Sequence, residues 1–223
     1  MNVLIACEES QEVCKAFREK GHNAFSCDVQ EPSGGHTEWH ILGDALEAIK
    51  GGTVVTMDGQ VHDVGKWDLL IAHPPCTYLS NLGANHLYLG TEKKVRGKDT
   101  FRLMNEERIR NAIQAKGFFM AFLNAPIAKV AVENPIPSTL WCLPEKTQVI
   151  QPWMFGNPYK KKTYLWLKGL PVLSATNMVE PTGLWVDGGH SEETKMQTFG
   201  FRSAKKRSKT FPGIAKAMAE QWG

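Results

Sequence analysis

Cys76 and Glu133 sit in the settings of this chain that most resemble a place for chemistry. Cys76 closes His73-Pro74-Pro75-Cys76, directly after the apolar run Leu69-Leu70-Ile71-Ala72. Two prolines stiffen the backbone there and fix the thiol just past a predicted strand. An ordinary thiol titrates near about 8.5, so a nucleophile needs surroundings that favour the thiolate. Glu133 follows Lys129-Val130-Ala131-Val132 and precedes Asn134-Pro135. A carboxyl at the end of an apolar strand is expected to lose solvent, which raises its pKa and keeps a proton available at neutral pH. The two groups suit one reaction. A thiolate adding to an electron-poor ring pushes negative charge into that ring, and an acid relieves it.

The elements around them read as alternating strands and helices. Val3-Leu4-Ile5-Ala6 is a strand, residues 8–20 carry Val13, Cys14, Ala16 and Phe17 at helical spacing, and Gly21 stands where a helix C-cap belongs. Ala24 to Cys27 resumes a strand that ends at Asp28. Residues 32–40 read as a loop, and residues 44–49 as a short helix. Asp58-Gly59-Gln60 turns a hairpin between residues 54–57 and 61–64. The polar stretch 90–100 reads as mobile. Asn105 caps a helix running to Asn124, with Ile109, Ile113, Phe119, Met120 and Leu123 on its apolar face. Residues 151–155 and 164–167 are predicted strands, and Pro212 opens a closing helix to Trp222. This pattern predicts an open, mostly parallel sheet flanked by helices, with Asp28, Cys76 and Glu133 delivered to one edge.

A chain of 223 residues with 42% hydrophobic content supports one sizeable core. No apolar run is long enough for a membrane span, and the start, Met1-Asn2-Val3-Leu4-Ile5, lacks a secretory leader pattern. Five cysteines without paired spacing suggest reduced thiols, so the expected setting is cytoplasmic. Cys7, Cys14, Cys27 and Cys142 read as structural. His36-x-x-x-His40 lacks a cysteine pair or acidic context, so no metal is expected. The net charge of +3 is small, but its distribution is uneven. Lys160, Lys161 and Lys162 form one cluster; Arg202, Lys205, Lys206, Arg207 and Lys209 form another with no acid among them. Such patches suit phosphate contact.

His-Pro-Pro-Cys and Val-Glu-Asn-Pro, each after a strand, resemble the two catalytic signatures of cytosine-C5 DNA methyltransferases, here in the manner of short phage-type members. The resemblance runs in order along nearly the whole chain. It implies a Rossmann-like methyltransferase fold with a small irregular insert, residues 168–209, as a reduced recognition region. It implies S-adenosylmethionine as cofactor and DNA as partner. Cys76 would be the nucleophile, Glu133 the acid, and Asn134 and Lys161 would orient the site. The loop Ala6-Cys7-Glu8-Glu9-Ser10 looks like the cofactor-loop motif, with Ala6, Cys7, Glu8 and Ser10 as contacts. Asp28 matches the acid that holds the cofactor ribose, Asp44 the acid near its adenine, and Pro74 a further contact. Lys160, Lys162, Arg202, Lys205, Lys206, Arg207 and Lys209 would meet nucleic acid. The loop here contains no glycine, and Lys161 and Thr163 stand where the family has arginines. Two other readings remain: Cys/Glu chemistry on a free pyrimidine nucleotide or with another one-carbon donor, and a catalytically silent nucleic-acid-binding protein.

Overall fold

Both faces of the central strands are apolar, so the strands are buried from both sides. In β1 (Asn2–Ala6), Val3 and Ile5 point to one layer and Leu4 and Ala6 to the other, all fully buried. The computed structural model describes residues 1–90, 94–96, 99–101, 103–182, 186 and 204–223. The remaining strands are β2 (Asn23–Asp28), β3 (His40–Leu42), β4 (Gly52–Val55), β5 (Val61–Gly65), β6 (Leu69–Ala72), β7 (Lys94–Arg96), β8 (Asp99–Phe101), β9 (Lys129–Pro135), β10 (Gln148–Ile150) and β11 (Thr163–Lys168). The helices are α1 (Glu12–Glu19), α2 (Ala45–Ala48), α3 (Asn81–Ala84), α4 (Glu106–Leu123), α5 (Ala204–Ser208) and α6 (Pro212–Trp222).

Seven strands form one sheet in the order β10-β11-β9-β6-β1-β2-β3. The run from β3 to β9 is parallel throughout, and β11 is antiparallel to both β9 and β10. The architecture is therefore α/β with a mostly parallel sheet, compatible with a Rossmann-like fold. Strands β4–β5 and β7–β8 form separate hairpins. Helices α1 and α6 pack together on one face. On the other lie α2, α4 and the β4–β5 hairpin, through Phe119, Phe122, Val54 and Val64. The chain runs outward from β1 through β2 to β3, then returns to β6 on the other side of β1. That reversal opens a crevice at the carboxyl ends of β1 and β6.

Several elements depart from the sequence reading. α1 starts at Glu12, not residue 8, because Cys7 and Gln11 both adopt left-handed backbone (φ 59 at each). Edge strand β3 starts at His40, the last residue of the predicted loop, and runs on through residues outside any predicted element. The strand expected over 151–155 lies earlier, at β10; Pro152 instead opens a 3-10 turn. On α4, Asn105 does cap, its Oδ1 accepting from Arg108 N at 3.1 Å, but Ile113 faces solvent and Ala112, Phe119 and Phe122 make the buried face. The hairpin β7–β8 overlaps the stretch 90–100 read as mobile and ends one residue beyond it. Much of the 168–209 insert lies outside the described residues. α6 begins where expected, and Gly213 is required there: a Cβ would collide with the Phe155 carbonyl. No helix among the described residues is long and apolar enough to cross a membrane.

Candidate functional site

The register of adjacent strands decides which side chains meet. β6 and β9 pair with Ala72 opposite Val132, so the next residues, His73 and Glu133, emerge side by side. His73 Nδ1 lies 3.2 Å from Glu133 Oε2, with only 9% and 15% of the two side chains exposed. His73 N also donates to the Ala6 carbonyl at 2.9 Å, which fixes the start of the Pro74-Pro75-Cys76 loop against β1. That loop then turns into α3, with Leu79 N and Ser80 N donating to the Cys76 carbonyl. Arg108 on α4 buttresses it, donating to the carbonyls of Thr77 at 3.0 Å and Gly83 at 3.1 Å, with its guanidinium over the Tyr78 ring.

One cleft of about 540 Å³ holds Cys7, Asp28, Cys76, Glu133, Lys161 and Arg207 among its lining, a size suited to a small-molecule ligand. The three strand-end residues Asp28, Cys76 and Glu133 thus meet as the sequence suggested. Glu8, Ser10, Pro74 and Lys209 line the same cleft. Acidic groups come from the ends of β1 and β2; cationic groups come from Lys161 and the segment 207–209.

Glu133 departs from expectation. Burial alone would raise its pKa, but the hydrogen bond from His73 and the charges of Lys161 and His73 outweigh burial and hold it below the ordinary carboxylate value. The carboxylate, not the neutral acid, is the resting form. Lys161 itself is buried. Its Nζ donates to the Arg207 carbonyl at 2.9 Å, and its backbone N donates to Gln151 Oε1. It belongs to the interior of the site rather than to a phosphate-facing surface.

Three expected site residues stand outside the cleft lining, and a fourth, Glu8, lines it with its carboxylate already engaged. Asn134 is fully buried and does not line the cleft, because successive strand residues face opposite sides. Its Nδ2 donates to the Pro135 carbonyl, so it supports the turn rather than orienting Glu133. Asp44 caps α2, accepting from Leu46 N at 2.8 Å, and lies outside the cleft lining. Ala6 is buried in β1 and takes part through its carbonyl. Glu8 lines the cleft, but its carboxylate closes the N-terminus of α1, accepting from Val13 N at 2.6 Å and Cys14 N at 3.1 Å.

The glycine-free loop achieves a glycine-type backbone at a cost. Left-handed φ at Cys7 and Gln11 is strained for side-chain-bearing residues, and such strain concentrates at functional sites. Gln11 offsets it with buried hydrogen bonds, its Nε2 donating to the His36 carbonyl and Ser26 Oγ and its Oε1 accepting from His36 N. Burial, with Asp28 beside it, pushes the Cys7 thiol far up and makes it a poor nucleophile. Burial likewise pushes Cys27 up to about 12. All five cysteines carry thiols rather than disulfides.

Of the basic residues, Lys162 and Lys206 are exposed, Lys160 is half-buried, and Arg207 and Lys209 reach the cleft. Lys209 Nζ donates to Ser33 Oγ at 3.2 Å. Arg202 and the side chain of Lys205 lie outside the described residues. His36 stacks on Trp39, and His40 is buried against Ser26. The residue the motifs left without a role was His73; its place beside Glu133 follows from both residues standing one step past the last β6–β9 pair, Ala72 and Val132.

No protein-family model and no curated protein matches this chain.

Proposed function

We propose that this protein transfers a methyl group from S-adenosylmethionine to C5 of cytosine in DNA through a covalent Cys76 adduct. The observation that carries the reading is the meeting of Cys76 and Glu133, from adjacent strand ends, in one cleft that also takes in Asp28. The cofactor suits the cleft's chemistry. A phosphate would favour the N-terminus of α1, but the Glu8 carboxylate is already there. A phosphate-free, cationic ligand fits that acidic side better than a dinucleotide. When bound, S-adenosylmethionine supplies an electrophilic methyl group.

The chain's own residues do the rest. Asp28 ends β2 and lines the cleft; its carboxylate would accept hydrogen bonds from the ribose hydroxyls. Cys76 thiolate adds to C6 of an extruded cytosine, since the ring carbon is out of reach inside a stacked duplex. Glu133 supports N3 as negative charge enters the ring. Cys76 thiolate leaves when solvent water takes the C5 proton and the electron pair of that C–H bond forms the C5–C6 double bond. Lys161 and His73 keep Glu133 in place and charged. Lys160, Lys162 and Lys206 are the residues for strand contact.

Incubation with methyl-labelled S-adenosylmethionine and mixed-sequence DNA, followed by nucleoside analysis, tests this. Label in 5-methylcytosine supports it. A parallel incubation with free dCMP in place of DNA separates the nucleotide-modifying reading, to which label on dCMP alone would point. No label in either incubation sinks the proposal.

A further inference from the structure

Glu133 does not act alone. We infer that His73 is its positioning residue and proton reservoir, the two forming a buried pair that shares one dissociable proton. This rests on the reading of Glu133 given above and deepens it.

The geometry is specific. Nδ1 of His73 meets Oε2 of Glu133 at 3.2 Å, and the peptide N–H of His73 is anchored on Ala6. The opposite ring nitrogen, Nε2, is buried with no hydrogen-bond partner among the described residues. A histidine held on one edge and unmatched on the other is a costly structural element. It borders both the main cleft and a chamber of about 10 Å³ behind it, lined also by Lys161, Thr163 and Thr210; that volume is close to what one water needs. Among the described residues, the charged groups facing the ring are Glu133 from β9, Glu8 from the loop after β1, and Lys161 from the entry to β11. Cys76 lies three residues further along the same loop.

The pair removes a difficulty in the mechanism. Glu133 rests as a carboxylate, held down by His73 and Lys161, yet ring N3 must gain a proton as sulfur adds to C6. With His73 as imidazolium, its Nδ1 proton passes to Oε2 of Glu133, and the carboxyl group delivers a proton to N3. The thiolate electron pair meanwhile forms the S–C6 bond. The charges balance: thiolate, carboxylate, imidazolium and neutral base become a neutral adduct, a carboxylate and a neutral imidazole. Expulsion of Cys76 returns the proton by the same route.

His73→Asn keeps an amide donor near the Nδ1 position but cannot carry the proton. The test follows the Glu133 carboxyl carbon by NMR in glutamate-labelled protein, with Glu133→Gln used to assign the signal. The Glu133 titration should move to higher pH in His73→Asn. Capture of 5-fluorocytosine DNA by that variant should slow by about tenfold or more, with DNA affinity unchanged. If His73→Asn does not fold, the His73 ring titration in wild type and in Glu133→Gln carries the same test, and identical curves overturn the pair. An unchanged Glu133 titration in a folded His73→Asn also overturns it. Failure of wild-type protein to capture DNA would instead count against the C5 chemistry, since the titration needs no substrate.

Discussion

Glu8 Oε1 accepts a hydrogen bond from Val13 N at 2.6 Å, so a fully desolvated carboxylate, not a ligand, closes the N-terminus of α1. Burial pushes this group up to about 7, against the lowering pull of His73 and the amides of Val13 and Cys14. The sign of its effect on stability follows. Between about 4.5 and 7 the folded protein holds a proton that the unfolded chain has lost, so this group makes stability fall as pH rises through that window. The contribution is about 3 kcal/mol across the window. Glu133, whose pKa is lowered, acts outside it: its stabilisation is present above the ordinary carboxylate range and is lost as pH falls through its folded value. Glu8→Gln should flatten the fall between pH 5 and 7.5 in urea unfolding. A variant with the wild-type slope would show that Glu8 is not the titrating group.

Asp28 tests the cofactor side of the cleft. Its Oδ1 accepts from Gln30 N at 2.9 Å, which holds the carboxylate at the rim. Losing a charged acceptor costs roughly 1.5–3 kcal/mol, so Asp28→Asn should weaken S-adenosylmethionine binding by about tenfold to a hundredfold in calorimetry. Asp44→Asn, at a position outside the lining, should lose little affinity for the cofactor and instead loosen α2. Equal losses for both would contradict this placement.

The basic residues divide by position. Arg207 and Lys209 line the cleft and Lys161 is tied to the Arg207 carbonyl, so neutralising them disturbs the site itself. Lys160, Lys162 and Lys206 are the cleaner probes. Replacing all three with Gln should weaken DNA binding across sequences and lower the salt slope by about two to three units, with cofactor affinity retained. A mobility-shift titration at several salt concentrations reads both quantities, and an unchanged slope would place the phosphates elsewhere.

The sheet was legible because its central strands are unbroken apolar runs: β1, β6 and β9 lie where Val3-Leu4-Ile5-Ala6, Leu69 to Ala72 and Lys129 to Glu133 indicated. Their polar end residues were legible for the same reason. Short edge elements were not. His40-Ile41-Leu42 is too brief to show alternation and opens on a histidine, and Gln148-Val149-Ile150 is hidden beside the stronger apolar signal of 152–155. The charge state of Glu133 was missed because its partners, His73 and Lys161, are remote in sequence and arrive through strand register. Asn134 was misjudged by treating neighbours in a motif as neighbours in space, which strand alternation forbids.

Covalent capture of DNA by Cys76 tests the central claim most directly. DNA carrying 5-fluorocytosine, incubated with the protein and S-adenosylmethionine, should yield a denaturant-resistant complex, because fluorine at C5 blocks the elimination that frees sulfur. Peptide mapping should place the base on Cys76, and Cys76→Ala should give no complex while still folding. Cys142→Ala, at an exposed thiol outside the cleft, should capture like wild type. A complex that persists in Cys76→Ala, or its absence from wild type that binds both DNA and cofactor, would contradict the account.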